Sequence, residues 1–219
     1  MVQGKEYPTL GVHALPPTLG AWVIDSNQGD YFEEVKVIPV VEYLIWSQFP
    51  VRVYLEGGND LWNEGVVQAI ASWGEYLPLT QIEEESEADI IIKRSPPSPK
   101  IERNPHTGLL EITRARAGLT TYKLYLNQGI LSHRMLIEIN PGQNQQAVIA
   151  TLTHELGHAL GIWGHSQVAT DALFYAQSQQ FSGISPRDIN TLKKIYQQPT
   201  ALGWIQSIEI EGSNSHPQP

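Results

Sequence analysis

One stretch constrains this chain more than any other: His154-Glu155-Leu156-Gly157-His158-Ala159-Leu160-Gly161-Ile162-Trp163-Gly164-His165. Residues four apart share one face of an α-helix. A helix here therefore aims the imidazoles of His154 and His158 at one point, with Glu155 beside them. Gly161 allows the left-handed turn that ends a helix without steric cost. The chain leaving that turn can bring His165 back to the same point. Three imidazoles and a neighbouring carboxylate are the parts of a zinc hydrolase, in which three side chains hold the metal and a water takes the fourth position. A lone histidine is usually a surface or satisfied core residue, but this spacing is hard to explain that way. His13, His106, His133 and His216 lack partner spacing and read as ordinary surface, strand or tail residues.

Composition narrows the chemistry further. The chain has no cysteine, which excludes disulfides and thiolate metal sites, so a metal must be held by His, Asp or Glu. With 14 basic and 23 acidic residues the net charge is −9. That balance disfavours nucleic acid or an anionic membrane as the main partner. Hydrophobic residues are 41% and charged residues 17%, a globular composition. A length of 219 residues suits one domain with extensions. No apolar run is long enough to span a membrane, and Met1 to Leu10 lacks the apolar segment of a signal peptide.

Residues 1–48 are rich in Pro and Gly and read as an N-terminal extension draped over the domain. Val51–Leu55 alternates as a strand. Asn59 or Asp60 can cap a helix over Trp62–Tyr76, with Val66, Val67, Ile70 and Trp73 at helical spacing and Pro78 stopping it. Thr80–Ile82 and Ala88–Ile92 read as strands. Between them Glu83–Glu87 is a solvated charged connection, with a structural calcium ion as the lesser reading. Ser95–Gly108 is a Pro-rich loop. Leu119–Leu126 and Met135–Ile139 are strands, each followed by a turn. A helix from Asn144 to Leu160 carries the histidines. Another runs from Ser185 to Gln197, with Ser185 as cap, Pro186 in the first turn and Asp188 complementing the dipole. The order of elements describes an α+β domain over residues 49–203, followed by a polar tail over 204–219.

With these residues in place, the chain resembles a metzincin metallopeptidase, and within that clan a bacterial matrixin-type catalytic domain. The resemblance covers about residues 46–200. It rests mainly on the histidine motif, and secondarily on Ala88–Ile92, Ala172-Leu173-Phe174-Tyr175 and Ser185–Asn190. It implies a twisted mixed sheet of about five strands with an active-site helix, a second packing helix and a C-terminal helix. It implies one catalytic Zn2+ on His154, His158 and His165, Glu155 as general base, and a peptide or protein as substrate. It also implies an exported protein, secreted or periplasmic. The chain is expected to act as a monomer. Phe174 stands where the clan places a methionine beneath the metal, and Tyr175 where it lines the specificity pocket. The edge strand around Leu119–Leu126 is where a peptide would add as a further strand.

Three departures separate the chain from the family pattern, H-E-x-x-H-x-x-G-x-x-H. Three residues, not two, lie between Gly161 and His165, the extra one absorbed at Gly164. Phenylalanine replaces the methionine. The pro-segment cysteine and the histidine-rich loop of many matrixins are absent. The first two favour a competing reading, a degenerate fold of the same kind that binds metal or peptide without turnover. An unrelated zinc hydrolase with a carboxylate as third ligand is a further alternative. Intact Glu155 favours the enzyme, because a binding protein needs no general base.

Overall fold

Strands form where aliphatic residues alternate or cluster, and helices where capped amphipathic runs follow them. The computed structural model describes residues 9–98, 100–103, 110–114, 116–176 and 180–205. In chain order the elements are α1 (Pro17–Ala21), β1 (Val51–Leu55), α2 (Asp60–Gly74), β2 (Leu79–Ile82) and β3 (Ile90–Lys93). Then come β4 (Lys100–Arg103), β5 (Leu110–Arg114), β6 (Gly118–Asn127), β7 (Ile130–Ile139), α3 (Gln145–Ala159) and α4 (Pro186–Tyr196). The protein is α+β, with a five-stranded sheet ordered β2-β1-β3-β7-β6.

The sheet is mixed. β2, β1, β3 and β7 pair in parallel, and β6 is antiparallel to β7 along its whole length, from Gly118 opposite Ile139 to Asn127 opposite Ile130. Parallel neighbours require a crossover, which α2 supplies between β1 and β2. An antiparallel pair needs only a tight turn. Gln128 and Gly129 make it, with φ of 50° and 82°, the backbone handedness that two-residue hairpins favour. β6 is therefore an outer strand, and among the described residues no strand pairs with its far edge.

Side-chain alternation directs the core. In β7, Leu131, His133, Met135, Ile137 and Ile139 are buried and the residues between them are not. The four apolar ones share one core with Val66, Ile70 and Trp73 of α2 and Val148, Leu152 and Leu156 of α3. Burying each large aliphatic side chain contributes about 1.5–3 kcal/mol. The two helices are also tied directly, since Trp73 Nε1 donates to the Thr153 carbonyl at 2.9 Å. Asn59 caps α2 and Asn144 caps α3, each accepting from a backbone N–H of the first turn.

The N-terminal segment enters this core. Leu19, Val41, Leu44 and Ile45 are fully buried within it. Gly11 and Thr200 exchange backbone hydrogen bonds at 3.0 and 2.9 Å, which fixes the start of the segment to the chain after α4. Sequence reading differs from the structure around residue 100. The expected Pro-rich loop contains β4, paired antiparallel with β5. Proline cannot donate to a ladder, but Pro97, Pro99 and Pro105 flank residues 100–103 and leave their N–H groups intact. β7 also begins five residues earlier than the apolar run Met135–Ile139, because its pairing with β6 carries it through Ser132, His133 and Arg134. Among the described residues no helix is long and apolar enough to cross a membrane.

His133 is buried, stacked on Trp46 with ring centroids 3.9 Å apart. Desolvation holds its pKa down at about 3. The folded value lies below the unfolded value of about 6.5. Below that pH the unfolded chain binds a proton that folded His133 refuses, so this group makes stability fall as pH drops from about 6.5 towards 3. The slope is at most about 1.4 kcal/mol per pH unit. His133→Phe keeps the stack and removes the titration. Chemical denaturation at pH 7 and pH 5 should show a smaller loss for the variant; equal losses would contradict this assignment.

Candidate active site

α3 presents His154 and His158 one turn apart, with ring centroids 4.7 Å apart. The helix ends at Ala159, and Gly161 turns the chain at φ 127°. Its neighbour across the turn is the Leu44 carbonyl, 3.0 Å from where a Cβ would stand. Another residue there would carry both backbone strain and a close contact. The chain then returns along the N-terminal segment. Lys36 N donates to the Trp163 carbonyl at 3.0 Å. Gly164 lies so close to Glu34 that a Cβ would stand 2.4 Å from its carbonyl oxygen. Gly164 thus admits the extra residue of the loop only because it has no side chain. His165 ends the return, its ring centroid 5.3 Å from that of His154 and 4.9 Å from that of His158. Each of the three offers a ligand atom, and these atoms lie within 4.8 Å of one another.

Hydrogen bonds behind the rings set the tautomers. His154 Nδ1 lies 2.9 Å from the Ala172 carbonyl, and His158 Nδ1 2.6 Å from the Ile162 carbonyl. A carbonyl can only accept, so both Nδ1 atoms carry the proton. Burial holds the pKa of His154 at about 3, with the charge of His158 adding to it, and burial also holds His158 at about 4. Both rings are therefore neutral at pH 7, and neither Nε2 carries hydrogen. Yet the two Nε2 atoms face each other at 3.1 Å. Two lone pairs at that distance repel unless a cation lies between them. The spacing is near the roughly 3.3 Å that separates two tetrahedral zinc ligands at about 2.0–2.1 Å from the metal. These donors fit zinc.

Glu155 is 7% exposed. Desolvation raises its pKa, opposed by hydrogen bonding with Thr120. The Thr120 hydroxyl donates to Glu155 Oε2 at 2.7 Å. Thr120 belongs to β6, so the free sheet edge and the carboxylate meet. A cleft of about 880 Å³ opens there, lined by the three histidines, Glu155, Gly118, Leu119, Thr120, Trp163, Phe174 and Tyr175 among others.

Beneath the histidines runs the loop that follows His165. Ser166 and Phe174 form a bridge, with Ser166 N donating to Leu173 O at 2.8 Å and Tyr175 N to Ser166 O at 3.2 Å. Phe174 is half-buried and lines the cleft, its ring 4.6 Å from that of Tyr175. Tyr175 is exposed at the rim. Leu173 is fully buried and occupies the space against Gly157. Asp188 of α4 anchors this loop. Its carboxylate accepts from Ala172 N at 2.9 Å, Leu173 N at 3.3 Å, Ser185 N at 2.7 Å and the Tyr31 hydroxyl at 2.5 Å. Desolvation raises the Asp188 pKa, opposed by these donors.

Sequence reading missed four contributors: Thr120, Trp163, Lys36 and the wider role of Asp188. Thr120 carried no signal beyond strand propensity. Trp163 lies within the motif and packs on His158 at 5.9 Å. Asp188 was readable only as a helix-dipole residue. His13 bonds the Leu202 carbonyl and stacks on Trp204, away from the site. His106 and His216 lie outside the described residues. Among the described residues, no three side chains of the Glu83–Glu87 run come together as a group of ligand atoms.

No protein-family model matches the chain, and no curated protein matches it. Among solved structures it is similar to the crystal structure of myroilysin, with a TM-score of 0.40 and 14% identity over 86% of this chain and 100% of that one. At that distance no chemistry is carried across, and the site stands on its own residues.

Proposed function

We propose that the chain is a zinc-dependent endopeptidase of matrixin-like type, with His154, His158 and His165 as metal ligands and Glu155 as general base. The observation that carries this is the pair of unprotonated Nε2 atoms facing each other at 3.1 Å, with a buried carboxylate on the adjoining residue. Zinc bound there supplies a Lewis acid that polarises a carbonyl and makes its bound water acidic. The remaining work belongs to the chain. The carbonyls of Ala172 and Ile162 orient the imidazoles through Nδ1–H, which also raises their basicity as ligands. Thr120 holds Glu155 Oε2 and leaves the other carboxylate oxygen for a water proton. The raised Glu155 pKa suits a group that takes a proton and passes it to the leaving amine. The open edge of β6 offers backbone donors and acceptors to an extended peptide. Phe174 and Tyr175 line the wall of the cleft that would receive its side chains. By the same resemblance we place the chain among exported peptidases, and we expect it to act as a monomer.

Hydrolysis of a quenched fluorescent peptide by the purified chain tests this reading. Turnover should be lost on chelation and return with zinc. Turnover unaffected by chelator would contradict a metallopeptidase, and zinc binding without turnover would favour the degenerate binding protein.

A further inference from the structure

The solvent-facing charges of the cleft are opposite in sign to the net charge of the chain. Apart from the histidines, its lining holds four ionisable side chains that carry formal charge: Lys36, Arg116, Glu155 and Asp171. The two acids are withdrawn from solvent. Glu155 is 7% exposed and bonded to Thr120. Asp171 is 2% exposed and paired with Arg187 at 3.0 Å. The two bases are not withdrawn to that degree, Lys36 being exposed and Arg116 half-buried. In a chain of net charge −9, the solvent-facing charges of the groove along β6 are thus the two cations, and clefts focus such fields on a ligand.

The two cations stand on either side of Thr120 along β6. Arg116 stands two residues before Gly118, and its neighbour Ala117 is held by Gln143 Nε2 at 3.0 Å, just ahead of α3. Lys36 stands on the far side of Thr120, beside the middle of the strand. Its N–H is bonded to Trp163, and the Trp163 ring meets Tyr122 of β6 edge to face at 5.1 Å. From Gly118 to Tyr122 is about 13 Å at ~3.3 Å per strand residue. Thr120, which bonds Glu155, lies midway. A peptide paired antiparallel to β6, the more stable pairing, has its N-terminal half towards Lys36 and its C-terminal half towards Arg116.

We propose that this cleft selects peptides with acidic side chains about two residues to either side of the scissile bond, Lys36 reading the N-terminal side and Arg116 the C-terminal side. The proposal rests on the peptidase reading for the position of the bond but not for the charge selection itself. The contacts are solvent-accessible ion pairs, so each contributes a few-fold and weakens with salt.

The test uses quenched peptides of one sequence that differ only at those two positions, carrying Glu, Gln or Lys. At low ionic strength kcat/KM should fall in that order, about tenfold from the double-Glu to the double-Gln peptide, with the gap narrowing at high salt. Lys36→Glu should reverse the preference at the N-terminal position alone, and Arg116→Glu at the C-terminal position alone. Equal kcat/KM across the wild-type series overturns the proposal and leaves the peptidase reading intact, as does an unchanged order in both variants. Binding of the same peptides to the zinc-loaded Glu155→Gln protein, read by fluorescence anisotropy, gives the converse. Preference for Glu in binding, with no wild-type turnover, supports the charge selection and sinks the peptidase.

Discussion

Glu155→Gln should lower peptide hydrolysis by about two orders of magnitude or more, with zinc content unchanged. Glutamine keeps the volume of the side chain and can still accept the Thr120 hydroxyl that now bonds Oε2 at 2.7 Å. It cannot take a proton from water at neutral pH. The substitution therefore separates the base from the scaffold. Stability should stay within about 1 kcal/mol of the wild type, because the buried carboxylate gives up a desolvation cost as it gives up charge. Metal analysis alongside the kinetics makes the result specific. Activity retained in the variant would remove Glu155 from the mechanism. Loss of zinc with loss of activity would show that the carboxylate supports the metal site.

Asp188→Ala is the substitution expected to destabilise the protein most. The carboxylate is fully buried and receives Ala172 N, Leu173 N, Ser185 N and the Tyr31 hydroxyl. Removing it leaves these donors without that acceptor in the interior, at about 1–3 kcal/mol for each group left unsatisfied. Allowing for relaxation, a total of about 3–5 kcal/mol is expected, the range for breaking a buried charged network. For a chain of this size that lowers the melting temperature by about 10 °C. The loss should also reach the metal, since the loop that Asp188 fixes carries the Ala172 carbonyl behind His154. Disturbing such an outer partner lowers metal affinity by about 10–100-fold. Tyr31→Phe removes one donor and should cost only about 1 kcal/mol. Thermal denaturation of both variants, with zinc titration of each, checks the ranking. Equal effects from the two would mean that Tyr31, not the loop N–H groups, dominates the network.

What could be read from the sequence was local. The four-residue spacing of His154 and His158, the helix start at Asn144 and the turn at Gly161 are properties of a few adjacent residues, and the helix follows from them. The same holds for Val51–Leu55 and for Ser185 with Asp188, where the structure shows the capping box. What could not be read joins residues far apart. Thr120 and Glu155 are 35 positions apart, and no periodicity pairs them. Lys36 reaches the cleft because Gly164 lets the N-terminal segment pass against the loop before His165, a contact visible only in three dimensions. Asp188 has the position of a dipole-complementing residue, yet its carboxylate faces the loop under the histidines. Within Ser95–Gly108 the strand over residues 100–103 was hidden because the flanking prolines outweighed the residues between them.

The central claim is that three histidines hold one zinc ion with a free position for chemistry. Diffraction at the zinc absorption edge from crystals of the zinc-loaded protein tests it directly. The expected result is one ion per chain, with Nε2 of His154 and His158 and a ring nitrogen of His165 at about 2.0–2.1 Å and a water completing the site. An ion bound elsewhere, or a carboxylate in place of His165, would contradict the account.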